Sequence, residues 1–534
     1  MREKQRLYIF DTTLRDGAQT HGVDFSVADK LWVIEELQKL GLDFIEAGFP
    51  GANPTDTEVF NSLPSHHDNI VAFGMTRRIG RSADNDPGFQ AVVQSAAPTI
   101  CLVGKSWDYQ VTVALEADLS ENIESIKDSF SYARDVGKRT MFDAEHFFDG
   151  FRANRDYALR CLDVALESGV DWVVLCDTNG GTLPGDVYET VYEVYKHAGG
   201  EKVGFHAHND TECAVANSLA AIAAGARQIQ GTLNGLGERC GNANLCSIIP
   251  SLVLKKPYKD SYDVGALSGN LHGLTSLARR FDDLINRVPN PHQPYVGRSA
   301  FAHKGGLHVS AVQKDPSTYE HVDPASVGNE RIIPMSDQAG RANVLARLSA
   351  AGIDSTGHEQ RITRLLEIVK EREHKGFAYD LADASFAVLA LKELGLMPEY
   401  FQVESFRVQV ERRYNAMGVL VSISEATVKL LVGDERVLSV GEGNGPVHAL
   451  DMALRKDLGH YSDLIKDLDL VDFKVRILDG GTSAVTRVLI DCIDQSGEGW
   501  TTVGVSANIV DASFQALLDA VNYKLYRELA KSKG

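Results

Sequence analysis

VGFHAHND (203–210) reads as a short strand that ends in a run of polar side chains. Successive strand residues face opposite sides, so His206 and His208 project together. The run is the seventh of eight with the same character. YIFDTT (8–13), FIEAGFP (44–50), IVAFGMT (70–76), TICLVGK (99–105), TMFDAEH (140–146) and WVVLCDT (172–178) precede it, and QIQGTLNG (228–235) follows. Between most of them lie segments such as VADKLWVIEELQKLG (27–41), apolar at helical spacing and closed by a glycine. Strands alternating with helices imply parallel strands joined by crossover helices. Eight such units predict an α/β fold, a closed (β/α)8 TIM barrel, for which about 250 residues is typical. A doubly wound open sheet is the alternative; it usually has fewer strands, and no GxGxxG follows the first strand.

The barrel is expected over residues 1–286. RVPNPHQPYVGRSA (287–300) carries three prolines between Pro289 and Pro294 and reads as a linker. The rest of 287–397 is expected to be linker and mostly helical subdomains, with ITRLLEIVKEREHKG (362–376) and ASFAVLALKELG (384–395) as the clearest helices. Over 398–534 the pattern turns to alternating strands, an α+β domain with an internal pseudo-repeat. VGEGNGPVHALDMAL (440–454) and VGVSANIVDASFQAL (503–517) share six residues at a constant offset of 63.

Composition narrows the function classes. A chain of 534 residues suits two to four domains. The net charge of -19 argues against nucleic acid as a partner, which needs a basic face. The seven cysteines are scattered with no CxxC pair, so neither a disulfide framework nor a Cys-based zinc site is expected. No run approaches the roughly 20 apolar residues of a membrane span. MREKQRLYIF lacks a signal-peptide apolar region, so a cytoplasmic protein is expected.

The strand ends carry the chemistry. Asp11, Glu46, Glu145, Asp177 with Thr178, His206 with His208, and Asn234 would all gather on one rim of a barrel, where catalytic loops lie. That concentration favours an active site over helix capping. Two histidines and a carboxylate leave open positions on a divalent metal. Asp16, in TTLRDGAQ (12–19), supplies the carboxylate, and Asn242, in GLGERCGNANL (235–245), is a further candidate ligand. Arg15 reads both as a salt-bridge partner of an acid such as Glu46 and as a guanidinium that stabilises an oxyanion.

TTLRDGAQ, GFHAHND and GLGERCGNANL, in that order and at those strand ends, resemble the acyl-CoA-dependent Claisen condensation enzymes: the isopropylmalate, homocitrate and citramalate synthases. Aldol-type lyases and carboxyltransferases are relatives that share the metal site. The likeness runs through the barrel into 300–330, and the C-terminal domain resembles the leucine-sensing regulatory type. GKSWDYQV (104–111), FAHKGGLHVSAV (301–312) and the length most resemble one branch of the citramalate synthases.

The resemblance implies Asp16, His206 and His208 as ligands of Mn, Zn or Mg, with Asn242 at or near the metal. Arg15 would contact the keto oxygen of a 2-oxo acid, and Thr178 its carboxylate, with Gln19 also on the substrate. Glu145, His308 and Tyr319 would act as acid–base group on the acetyl methyl, the 287–397 region completing the site. The implied reaction joins acetyl-CoA to pyruvate and hydrolyses the thioester to (R)-citramalate and CoA, toward isoleucine. A homodimer, and isoleucine as effector at the C-terminal domain, follow from the same likeness.

From the residues alone, His308 reads equally as a helix cap, Tyr319 as a surface tyrosine, and His146 competes with Glu145. Two departures stand out: Ala18 where these synthases often have a glutamate, and Ser310 where many have an acid. The rival readings are another 2-oxo acid as substrate, a lyase running the cleavage direction, a metal-dependent hydrolase, and a non-catalytic amino-acid sensor.

Overall fold

The computed structural model describes residues 4–63, 67–333, 341–379, 381–414, 416–478 and 484–531. All eight strand runs enter one closed barrel: β1 (Tyr8–Asp11), β2 (Phe44–Gly48), β3 (Ile70–Met75), β4 (Thr99–Lys105), β5 (Arg139–Glu145), β6 (Trp172–Asp177), β7 (Val203–Ala207) and β8 (Gln228–Gly231). Each strand pairs in parallel with the next. Closure is made by β8 against β1, from Tyr8 opposite Gln228 to Asp11 opposite Gly231. The crossover helices begin and end where local chemistry dictates. Helix α1 (Val27–Leu40) starts at a capping box between Ser26 and Asp29 and stops at Gly41, whose φ of 99° suits glycine.

The two-residue period of each strand sorts the lumen into layers. Tyr8, Phe44 and Trp172 meet at its N-terminal end, with Tyr8 and Trp172 ring centroids 5.3 Å apart. Phe10, Val71, Cys101 and Met141 form a buried cluster above them. The barrel is therefore plugged by apolar side chains, and its interior turns polar only toward the C-terminal ends of the strands.

The first compact unit holds the described residues up to Phe301 together with Val322–Glu330. The proline-rich stretch read as a linker is thus part of it, extending beyond the expected boundary at 286. Asn329 Nδ2 donates to the carbonyls of Tyr295 and Gly297 at 2.8 and 2.9 Å, which ties that stretch down.

The second unit, Ala302–His321 with the described residues from Arg331 onward, begins with helices and ends in two similar halves. β9 (Gln402–Tyr414), β10 (Leu420–Val432) and β11 (Glu435–Gly443) form one antiparallel sheet; β12 (Asp469–Ile477), β13 (Thr486–Ile493) and β14 (Gly499–Ser506) form the other. Residues 479–483, between β12 and β13, lie outside the described residues. Helix α2 (Pro446–Lys456) follows the first sheet and α3 (Ile509–Lys531) the second. The repeat has a packing cause. A Cβ on Gly441 would sit 2.4 Å from the Ala453 nitrogen, and one on Gly504 1.9 Å from the Ala512 carbonyl oxygen. Ala449 and Ala512, at the same offset, are fully buried, so strand and helix backbones approach closely in both halves.

Candidate active site

β7 ends at Ala207, and His206 and His208 share its inward face, both less than a tenth exposed. Asp16 arrives from the loop after β1. Its Oδ2 lies 3.3 Å from His206 Nε2 and 3.9 Å from His208 Nε2, and the two Nε2 atoms are 3.4 Å apart. These three buried ligand atoms fall within 4.8 Å of one another. Asn242 Nδ2 donates to Asp16 Oδ2 at 2.7 Å, and its Oδ1 is buried without a partner among the described residues.

The electrostatics suit a cation. Burial pushes the Asp16 carboxyl up, but Arg15 and the two imidazoles outweigh it and hold the group ionised, well below the usual carboxylate range. Burial, with His206 beside it, pushes His208 down to about 4, so it is the neutral, ligating imidazole near neutral pH. Burial also works against a proton on His206, yet the bond and charge of Asp16 prevail and raise its pKa, so a cation and a proton compete for one lone pair. Two imidazole nitrogens and a carboxylate oxygen converging in a buried pocket are a donor set that fits a divalent metal.

Arg15 is fixed beside this cluster. Its Nε donates to Glu46 Oε2 at 2.6 Å, Nη1 is 3.6 Å from Asp16 Oδ1, and the guanidinium lies 3.9 Å over the Phe73 ring centroid. Glu46 is fully buried, and burial raises its pKa to about 7 against the pull of Arg15. Glu46, Cys101 and Asp143 make a second convergent group in the lumen. Arg15 already engages Glu46, and burial raises the Cys101 thiol well above its ordinary value, which makes it a poor ligand.

The remaining expected residues stand as follows. Glu145, at the end of β5, forms an ion pair with Lys105 and lines a cavity of about 300 Å³ with Thr76, Val103 and Phe49. Its neighbour His146 turns Nδ1 toward Asp149 Oδ2 at 3.2 Å. Thr178 Oγ1 accepts the His146 backbone N–H at 2.8 Å, which leaves the hydroxyl proton to donate elsewhere. Gln19 is exposed and lines a cavity of about 430 Å³ with Arg15, Ala18 and Phe73. His308 and Tyr319 belong to the second unit, where their rings stack with centroids 4.2 Å apart.

Three of the polar strand ends do not serve the mouth. Asp11 accepts from the Thr13 nitrogen and hydroxyl, Asp177 from the nitrogen and hydroxyl of Thr182, and Asn234 donates to the Ala278 carbonyl and Asp282. Strand parity explains the first two. Cys176 and Thr178 share one face of their strand and its extension, so Asp177 points to the other and caps its own loop. Sequence reasoning missed Gln230 and Asp143. Both are buried polar residues in β8 and β5, and the period of two gives the signal: Asp143 precedes Glu145 by two positions.

Residues 6–270 match the HMGL-like family, 295–376 the homocitrate synthase post-HMGL domain-like family, and 380–525 the LeuA allosteric (dimerisation) domain. The chain is 46% identical over 535 residues to the (R)-citramalate synthase of Synechocystis sp., covering 98% of this chain and 97% of that protein. It is 47% identical over 528 residues to that of Streptomyces coelicolor, covering 97% of each. A probable 2-isopropylmalate synthase of Methanopyrus kandleri is 32% identical over 520 residues, covering 97% of this chain and 98% of that one. Identity at that level along nearly the whole length, with an HMGL-like barrel and a LeuA-type domain in one chain, means that the chain belongs to the citramalate synthase family.

Proposed function

We propose that the chain condenses acetyl-CoA with pyruvate and hydrolyses the thioester, giving (R)-citramalate and CoA. The observation that carries this reading is the convergence of Asp16, His206 and His208, with Arg15 locked beside them, in a chain of this family. A divalent cation held there would supply a Lewis acid for the keto and carboxylate oxygens of the 2-oxo acid.

The protein's own groups do the rest. Arg15 is pinned by Glu46 and Phe73, so its remaining N–H groups are pre-aimed at an oxygen that gains charge as the carbon–carbon bond forms. Thr178 donates its hydroxyl proton to the substrate carboxylate, and Gln19 lines the neighbouring cavity. The apolar cavity beside Glu145 offers room for the acetyl end of the thioester. Glu145, His308 and Tyr319 serve as the acid–base group: a proton leaves the acetyl methyl, the enolate carbon bonds the keto carbon, and the keto oxygen, now an alkoxide, takes up a proton. Asn242 steadies Asp16. Water then cleaves the thioester, which makes the reaction effectively irreversible.

In the same reading the chain is a cytoplasmic homodimer that feeds isoleucine formation and takes isoleucine as effector at the duplicated C-terminal halves. The LeuA-type match supports the dimer. So do the exposed apolar side chains Leu438 and Val440 on β11 and Val471, Phe473, Val475 and Ile477 on β12. Among the described residues no helix is long and apolar enough to cross a membrane.

The test is thiol release from acetyl-CoA in metal-replete buffer with pyruvate, 2-oxobutyrate, 2-oxoisovalerate and 2-oxoglutarate. Pyruvate is expected to give the highest kcat/KM. Preference for 2-oxoisovalerate or 2-oxoglutarate would overturn the substrate, and no release with any of the four would point to a sensor.

A further inference from the structure

His206 presents Nε2 to the ligand cluster, but a neutral imidazole carries its proton on either nitrogen. Only the tautomer protonated at Nδ1 leaves a lone pair on Nε2 for a cation. Within the barrel, His206 Nδ1 lies 2.8 Å from Gln230 Oε1, an atom that only accepts, so Nδ1 is the donor. Gln230 could offer its NH2 group instead if its amide turned over. It is held from turning by Asp143, whose Oδ1 accepts from Gln230 Nε2 at 3.0 Å. All three side chains are buried, which favours the partners they have within the barrel. The two amide atoms thus have separate addresses, the carboxylate for the donor and the imidazole for the acceptor. His208 has no such support: its Nδ1 is buried without a partner among the described residues.

From this chain of bonds we infer that Gln230 is a positioning residue for the metal centre, with Asp143 fixing its orientation across the lumen. Together they set His206 in the ligating tautomer before any cation arrives. The inference rests on the metal reading of Asp16, His206 and His208. It adds that half of the ligand pair is organised from β8 and β5, two strands that supply no ligand themselves. Partners behind a metal-bound histidine are worth about 10–100-fold in metal affinity.

The experiment titrates Mn2+ into the metal-free full chain by calorimetry. Gln230→Met keeps the side-chain length and removes both polar atoms; it is expected to weaken Mn2+ binding by about 10–100-fold. The double variant Gln230→Glu with Asp143→Asn exchanges donor and acceptor at unchanged net charge. The new asparagine donates to one glutamate oxygen and the other accepts from His206, so affinity is expected to return to within about threefold of the parent, given the same bond count. Simple loss of packing would not be rescued by that exchange. Parental affinity in Gln230→Met, or a folded double variant that binds as weakly as Gln230→Met, overturns the inference. Asp16→Asn separates the two levels: if it retains parental Mn2+ affinity, the metal reading falls, whereas its loss of binding beside an unaffected Gln230→Met condemns the relay alone.

Discussion

Arg15 donates to Glu46 at 2.6 Å inside the barrel mouth, and Glu46 has no exposed surface at all. The pair joins the loop after β1 to the floor of β2. A lone charge in that position would be uncompensated, because burial already drives the Glu46 pKa up to about 7.

Glu46→Ala strands the Arg15 guanidinium with Asp16 and the Phe73 face. Removing one partner of a buried pair costs about 3–5 kcal/mol. The remaining contacts argue for the lower end, read as a fall in the barrel's unfolding midpoint in denaturant. A variant that unfolds with the parent would show that solvent reaches Arg15 in solution.

Removal of the ligands should remove the chemistry. Lewis-acid stabilisation is worth several kcal/mol, so Asp16→Ala or His206→Ala is expected to lower kcat by about 10³-fold or more. Dialysis against a chelator should do the same to the parent enzyme, with recovery on adding back a divalent ion. Near-normal turnover in either variant would discard the ligand assignment.

Asp519, on α3, makes the stability of the second unit depend on pH. Burial raises its pKa to about 6, against a bond from Ser385 Oγ at 2.7 Å. The folded state therefore holds this proton more tightly than the unfolded chain, where the group titrates near its ordinary value of 3.8. Its contribution to stability is fully present below about pH 4 and is lost as the pH rises through about 6. Asp519→Asn keeps an acceptor for Ser385 without the charge. It should be more stable than the parent at pH 7.5, by at most about 3 kcal/mol because Asp519 is only half-buried and solvent screens its charge, with the gap closing by pH 4. Melting curves of both proteins across that range decide it; a gap independent of pH would assign the effect to packing.

Gly504 supports the second half of the C-terminal repeat. A side chain there runs into the Ala512 carbonyl, which is backbone and cannot swing aside. Gly504→Val is expected to destabilise the second unit by about 1–3 kcal/mol or more, as overpacking does. In a calorimetric scan the second unit's transition should drop while the barrel's stays. A shift of both together would show the two units unfolding as one.

The residues alone determined the barrel and the two histidines. Eight β-rich runs spaced by amphipathic helices admit few arrangements, and a period of two places His206 beside His208 without any coordinates. The repeat at 440 and 503 was equally legible, because glycine and alanine recur where backbones must touch. What only the tertiary structure decided is who meets whom across the lumen. Gln230 and Asp143 are 87 residues apart, and Asp16 and Asn242 are 226 apart. Such pairs depend on the register with which β8 closes against β1, and on which parity of each strand faces inward. The same parity sent Asp177, polar and well placed by sequence, to cap a loop instead. Local patterns fix which groups a strand carries; closure of the sheet fixes which of them share a cation.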